Sequence, residues 1–170
     1  MDAVSIPTLL HSLNDKWNLY YHLPNNKNWD LASYTVLMGQ INYVEQVIAL
    51  NNNIHDNVIK NCMLFVMRDG ITPMWEDPKN RDGGCFSYKV SNKCVPQVWK
   101  NLFSCLCGES LCIPEDSNQF VNGITISPKK NFCIIKIWLS NTSLQDPNSI
   151  VNIPNLLKQG CLFKKHEPEF

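Results

Sequence analysis

A continuous apolar run at residues 62–67, Cys-Met-Leu-Phe-Val-Met, most constrains how this chain can fold. Polar residues bound the run at both ends. An apolar run of this length is typical of a central β-strand that is buried on both faces. The run leads almost directly to Gly70, so the segment that follows is presented at the end of a strand inside the sheet.

Other short runs also have strand character because they are rich in β-branched and aromatic residues. Two of them, 121–127 and 133–139, are separated by Pro128-Lys129-Lys130-Asn131, a turn composition that predicts a hairpin. The predicted strands are residues 17–21, 33–41, 62–67, 85–90, 121–127, 133–139 and 161–163.

Three segments have helical character. Pro96 opens the longest predicted helix and Gly108 ends it. Residues 146–159 predict a last helix, which Pro154 splits or confines to one end. The first predicted helix is short and amphipathic, weakened by the asparagines at 51–53. Its apolar residues are Val44, Val47, Ile48 and Ile54.

Length and element order together predict a single α+β domain. The 170 residues suffice for one domain with a real core. Strands joined mostly as hairpins or through one helix indicate a curved antiparallel β-sheet with about three helices on one face. We expect the domain to span residues 1–170, with short flexible tails at about 1–10 and 166–170, and to be a monomer.

The balance of 15 basic and 15 acidic residues argues against binding along a nucleic-acid backbone. Recognition of a chain end needs only a few charges. No apolar run approaches 18 residues and the N-terminus lacks a signal peptide, so we expect a cytoplasmic protein without a membrane segment. We therefore interpret the eight cysteines as reduced. No C-x-x-C spacing occurs, so we predict no zinc site and no cofactor.

Residues 70–84, Gly-Ile-Thr-Pro-Met-Trp-Glu-Asp-Pro-Lys-Asn-Arg-Asp-Gly-Gly, predict a loop with binding chemistry. Trp75 offers a flat surface for stacking on a nucleobase. The adjacent Glu76 carboxylate can accept two parallel hydrogen bonds, which guanine supplies from its ring N–H and amino group. A guanine made cationic by N7-methylation would add a cation–π attraction of about 2 kcal/mol in a desolvated slot. Composition alone also allows the alternative that Trp75 and Trp138 are core residues without a binding role.

This run and the tryptophans spaced around it resemble the cap-binding subunit of eukaryotic translation initiation factor 4F, the factor 4E family, over about residues 11–166. The resemblance implies a cupped sheet with the helices on its convex face and the cap slot on its concave face. It implies that Trp29 and Trp75 sandwich N7-methylguanine and that Glu76 reads the guanine edge. Trp138 matches the family tryptophan near the methyl group. A non-enzymatic role in translation initiation on capped mRNA follows.

The residues for the cap phosphates depart from the family. Cys85 stands where the family has a basic residue after the glycine pair. Ser127 takes the place of a family arginine. If the turn is longer by two residues, Lys129 or Lys130 takes that place instead. The alternative for these two lysines is that they only face solvent at the turn. Ile134 occupies the other basic position, and Lys136, on the same strand face, is the candidate to replace it. We therefore expect a weaker or rearranged triphosphate grip.

The partner surface departs further. The family binds a helical Tyr-x-x-x-x-Leu-apolar peptide of its scaffold on the convex face. Here the central aromatic anchor is absent, and two apolar contacts are polar, so we expect an initiation factor 4G-like scaffold to bind weakly or through an altered peptide. Ile48 could instead be a core residue. The corresponding positions are His11, Ser12, Val44, Ile48, Lys100, Asn101 and Ser104.

Two other functions remain open from the sequence. The altered convex face favours a competitor that holds caps without recruiting the scaffold. A cysteine-dependent enzyme would use Cys85 as nucleophile and His166 or His11 as base. No catalytic motif surrounds Cys85, and cysteine is among the most buried residue types, so the enzyme is the least favoured of the three.

Overall fold

A computed structural model describes residues 9–170, which form a seven-stranded antiparallel sheet with helices packed on one face. The sheet order is β2-β1-β3-β5-β6-β4-β7. The strands are β1 (Ser12–His22), β2 (Tyr34–Tyr43), β3 (Met63–Arg68), β4 (Gly84–Ser91), β5 (Val121–Pro128), β6 (Phe132–Leu139) and β7 (Leu162–Lys165). The helices are α1 (Val44–Asn53), α2 (Asp56–Asn61) and α3 (Val95–Cys107), and short 3₁₀ turns lie at Leu31–Ser33, Glu115–Phe120 and Pro147–Ser149.

The α+β fold with a curved antiparallel sheet is confirmed, and so is the central position of the apolar run. β3 pairs with β1 on one edge and β5 on the other, and its residues from Leu64 to Met67 are all buried. The predicted hairpin is also confirmed, because β5 pairs with β6. The position of β3 inside the sheet, between β1 and β5, explains why the apolar run contains no polar residue.

Side chains alternate between two differently used sheet faces. On one face, Val66, Ile124 and Ile137 pack in the main core against the apolar stripe of α3. The opposite face carries a smaller cluster of Met67, Ile71, Cys85 and Trp138, against which Tyr20 and Trp75 pack. α1 and α2 contact α3, so all three helices belong to the first face. The three helices leave the second face uncovered.

The predicted last helix is wrong. Between residues 146 and 159 the structure has only the 3₁₀ turn Pro147–Ser149. Ile150 instead forms a β-bridge with Cys112, and the Val151 N–H donates to the Leu111 carbonyl. Pro154 also disfavours a helical conformation at the residue before it. The segment still buries apolar side chains in the core, which explains its helix-like spacing.

Two other differences concern short elements. α2 was not predicted; His55 caps its N-terminus by accepting from the Asn57 N–H, and Ile59 anchors it in the core. The C-terminal strand continues through Lys165, and His166, predicted to begin a tail, is buried at 6% exposure. The predicted N-terminal tail lies mostly outside the described residues.

Among residues 9–170, no helix is both long and apolar enough to span a membrane. None of the eight cysteines, all of which fall in this range, is in a disulfide.

Candidate functional site

A cavity of about 620 Å³ opens on the sheet face opposite α3. Phe65, Thr125 and Lys136 supply its floor from three neighbouring strands, in register with one another. Two loops supply its walls: the loop after β1 and the loop after β3. Its lining residues include Trp29, Tyr34, Phe65, Trp75, Glu76, Thr125, Ser127, Lys136, Trp138, Glu169 and Phe170.

The structure brings five predicted site residues to this one cavity: Trp29, Trp75, Glu76, Trp138 and Lys136. Lys129 and Lys130 do not line it, because they lie at the β5–β6 turn, beyond the strand that contributes Ser127. Trp29 and Trp138 are separated by more than a hundred residues of sequence. Their convergence depends on the order of strands in the sheet.

The loop that carries Trp75 and Glu76 is held by buried hydrogen bonds. One Asp77 carboxylate oxygen accepts from the Thr72 N–H at 2.7 Å and from the Thr72 hydroxyl at 2.8 Å. The fully buried Asn80 side chain donates to the carbonyls of Thr72 and Met74. Asn122, on β5, donates to the Asn80 side-chain oxygen at 2.8 Å, which ties the loop to the sheet. Trp75 and Glu76 therefore lie between loop residues that hydrogen bonds hold in place on both sides.

His166 supports Trp75 from within the fold. The two rings stack with centroids 5.6 Å apart and planes 17° apart, and the same imidazole lies 4.9 Å from the Trp138 ring. Its Nδ1 lies 2.6 Å from the Asn80 carbonyl oxygen, so this nitrogen donates. Burial lowers the pKa of His166, against an opposing effect of the Asn80 carbonyl. Burial therefore favours the neutral ring, and the hydrogen bond to Asn80 fixes its orientation.

Trp29 and Glu76 face the cavity with free surface. Trp29 is 47% exposed, and its indole stacks on His22 with centroids 4.0 Å apart. Glu76 accepts a hydrogen bond from the Glu169 N–H at 3.2 Å. Burial, with the negative charge of Glu76 as a second cause, raises the pKa of Tyr34. A polar ligand edge at Glu76 would take the place of the Glu169 N–H.

Two lysines flank Trp75. The ammonium nitrogens of Lys136 and Lys164 each lie 5.9 Å from the centre of the Trp75 ring. Lys164 was not predicted, since nothing in its local sequence marks it. It lies beside Trp75 but outside the cavity lining, because β7 pairs with β4, and its ammonium group also pairs with Glu167. Cys85 lies opposite Lys164 in that pairing. Burial raises the pKa of the Cys85 thiol, the reverse of what activates a nucleophile.

The predicted partner positions lie together on α1, α3 and the start of β1. Val44 and Ile48 are exposed, at 38% and 53%, so Ile48 is not a core residue. His11 pairs with Glu45, and Lys100 pairs with Asp56. One nearby polar contact joins α1 to α3, because Asn51 donates to the Ser104 hydroxyl. Within α3, Gln97 donates to Asn101.

The lowered pKa of His166 predicts how the free energy of unfolding changes with pH. As pH falls, the unfolded chain takes up this proton near the ordinary histidine pKa of 6.5, before the folded chain does. The stabilisation that comes from neutral His166 is therefore fully present above that pH, and it declines as pH falls toward the pKa of His166 in the folded chain. We expect the free energy of unfolding to decrease from pH 7.5 to pH 5.5, and to decrease less in His166→Phe.

Urea unfolding at the two pH values measures this difference. His55→Asn, which changes an exposed histidine and retains a capping side chain, is the control and should keep the wild-type slope. Equal slopes in wild type and His166→Phe would contradict the assignment.

The model of the family described as Eukaryotic initiation factor 4E matches residues 12–168. Among curated relatives, eukaryotic translation initiation factor 4E-1A of Danio rerio is 28% identical over 155 residues, covering 88% of this chain and 69% of that protein. The Homo sapiens initiation factor 4E is 27% identical over 155 residues, which also cover 88% of this chain and 69% of that protein. An Acanthamoeba polyphaga mimivirus homolog is 28% identical over 145 residues, covering 72% of this chain and 52% of that protein.

Solved structures show the same fold. Schistosome eIF4E, in a complex with m7GpppG and 4E-BP, superposes with a TM-score of 0.70 at 22% identity, covering 79% of this chain and 75% of that one. C. elegans eIF4E-3, in a complex with Mextli and a cap analog, superposes with a TM-score of 0.69 at 20% identity. The match covers 79% of this chain and 77% of that one. With the family model matching nearly the whole described chain, this protein belongs to the eukaryotic initiation factor 4E family.

Proposed function

We propose that this protein binds the N7-methylguanosine cap of mRNA and acts in translation initiation in the cytoplasm. The observation that carries the proposal is that Trp29, Trp75 and the Glu76 carboxylate line one cavity. Family membership supports it, as do the cap compounds in the complexes of the Schistosome and C. elegans relatives.

Each part of the ligand has a matching group in the cavity. The base stacks between the Trp29 and Trp75 indoles, and its ring N–H and amino group donate to Glu76 in place of the Glu169 N–H. Stacking alone tolerates any base, so the positive charge from N7-methylation supplies the selectivity. Trp138 fits a place near the methyl group, with its own N–H already donated to Thr125.

Two substitutions separate stacking from edge recognition. We expect Trp75→Leu to weaken binding of N7-methylguanosine triphosphate by about tenfold or more, because one base–aromatic stack is lost. Glu76→Gln should weaken it by a similar factor, since a charge-assisted pair of hydrogen bonds is lost and an amide N–H₂ faces the guanine donors. Isothermal titration calorimetry against methylated and unmethylated guanosine triphosphate measures both.

Glu115→Gln, an exposed carboxylate away from the cavity, is the matched control and should bind as wild type. Equal wild-type affinity for methylated and unmethylated nucleotide would reject the proposed function.

For the phosphates we propose Lys136 together with Lys164, the two cations that flank Trp75. Lys164 stands beside Cys85 across the β4–β7 pairing, and so can replace the cation that the family carries at that position. Lys129 and Lys130 lie at the turn and would contribute only to longer-range attraction.

Substituting the two pairs of lysines tests this assignment. Lys136→Ala with Lys164→Ala should lower affinity for the triphosphate nucleotide by about tenfold and flatten its salt dependence, while affinity for the bare nucleoside changes little. Lys129→Ala with Lys130→Ala serves as the charge-matched control. A larger loss in the control pair would instead place the phosphates at the β5–β6 turn.

A cap-binding competitor is the second candidate, favoured by the α1–α3 surface. There Ile48 gives a small exposed apolar contact, and the Asn51–Ser104 hydrogen bond occupies the groove between the helices. An interface without an aromatic anchor loses much of its energy. The protein would then hold caps without engaging the usual scaffold peptide.

A peptide of pattern Tyr-x-x-x-x-Leu-apolar should therefore bind weakly to this surface. Ile48→Trp, which restores an aromatic anchor at an exposed position, should tighten peptide binding and leave cap affinity unchanged. Fluorescence anisotropy of a labelled peptide measures the difference. Tight binding of the peptide to the wild-type protein would favour the initiation role over the competitor.

A further inference from the structure

The two tryptophans proposed to stack on the base, Trp29 and Trp75, are supported in different ways. Trp75 sits in a loop tied down by buried side chains, whereas Trp29 ends a segment in which nearly every residue is exposed. Leu23 is 55% exposed and Trp29 47%. Such a segment has little packing to fix an indole plane, so its order must come from a neighbour.

The neighbour in stacking contact is His22, the last residue of β1. The Tyr34 ring lies farther from Trp29, tilted, with centroids 6.3 Å apart. The His22 backbone pairs with Tyr34 of β2 and Met63 of β3, so it is fixed within the sheet. Its side chain is fully buried, and the Tyr34 ring packs against it in a T-shaped arrangement with ring centroids 5.0 Å apart. His22 is therefore a rigid base at the foot of the exposed segment.

One imidazole contacts both ends of the segment and the indole. Nδ1 lies 2.9 Å from the Leu23 carbonyl oxygen, and Nε2 lies 2.9 Å from the Asn28 carbonyl oxygen. The ring face stacks on Trp29, with planes only 4° apart. A neutral imidazole donates from one nitrogen and an imidazolium from both. The ring thus holds at least one end of the segment in either form.

We infer that His22 is a positioning residue, which sets the plane of Trp29 for stacking on the bound base. It acts on the face of the indole opposite the ligand and contacts the ligand only through Trp29. The inference rests on the proposed function for its ligand, while the order of Trp29 can be measured without one.

A double-mutant cycle with Trp29 tests this role. His22→Phe keeps an aromatic face but removes both nitrogens, and His22→Gln keeps amide donors but removes the ring. Each should weaken binding of N7-methylguanosine triphosphate by about tenfold, from the loss of one or two hydrogen bonds or of the stack. In a Trp29→Ala background the same substitutions should change affinity by less than about twofold, because the positioned group is gone.

Thermal unfolding, with His55→Asn as the control histidine, shows whether each variant folds, and either His22 variant alone is sufficient for the cycle. A loss of affinity that is equally large in the Trp29→Ala background would overturn the inference, since His22 would then act on the fold as a whole. Unchanged affinity in the single variants would overturn it as well.

A ligand-free measurement separates this inference from the proposed function. In protein labelled with 5-fluorotryptophan, the Trp29 resonance is assigned by its absence in Trp29→Phe. Both His22 variants should shift this resonance and narrow it toward that of a free side chain; an unmoved resonance overturns the inference. If the wild type fails to bind the cap nucleotide while the resonance moves as expected, the proposed function fails and the positioning role stands.

Discussion

The site depends on one buried amide, that of Asn80. This side chain is fully buried, donates to two loop carbonyls and accepts from Asn122, while its backbone carbonyl accepts from His166. A buried amide in this position is costly unless nearly all of its hydrogen-bonding groups are used. Because its partners come from the loop, β5 and the chain after β7, satisfying Asn80 brings three distant segments together beneath Trp75.

The antiparallel sheet turns this local order into a cavity. Residues opposite one another on paired strands share a face, so Phe65, Thr125 and Lys136 form a floor on the side away from α3. The hydrophobic core occupies the other face and fixes the strand positions. Binding residues can therefore be polar or exposed without weakening the core, which explains how a chain this divergent keeps the family fold.

Much of the fold was predictable because its information is local. The apolar run in β3, the turn between β5 and β6, and the proline and glycine that bound α3 each act over a few residues. The predicted last helix failed because β-type pairing with the segment at Leu111 outweighed a helix-like spacing. His166 and Lys164 gave no signal of these roles, since each gains its role from a partner far away in sequence. The partners of His22 are close in sequence, but no local pattern indicates that its buried ring stacks on Trp29.

By itself, the sequence determined the α+β class, the central strand and the loop carrying Trp75 and Glu76, because periodicity and turn chemistry depend on neighbouring residues. Only the tertiary structure decided that Trp29 meets that loop in one cavity, and that Lys136 lines the cavity while Lys129 and Lys130 do not. It also decided that His166 packs against both Trp75 and Trp138. The reason is physical: these contacts depend on strand order and register, which long-range pairing sets and no local pattern encodes.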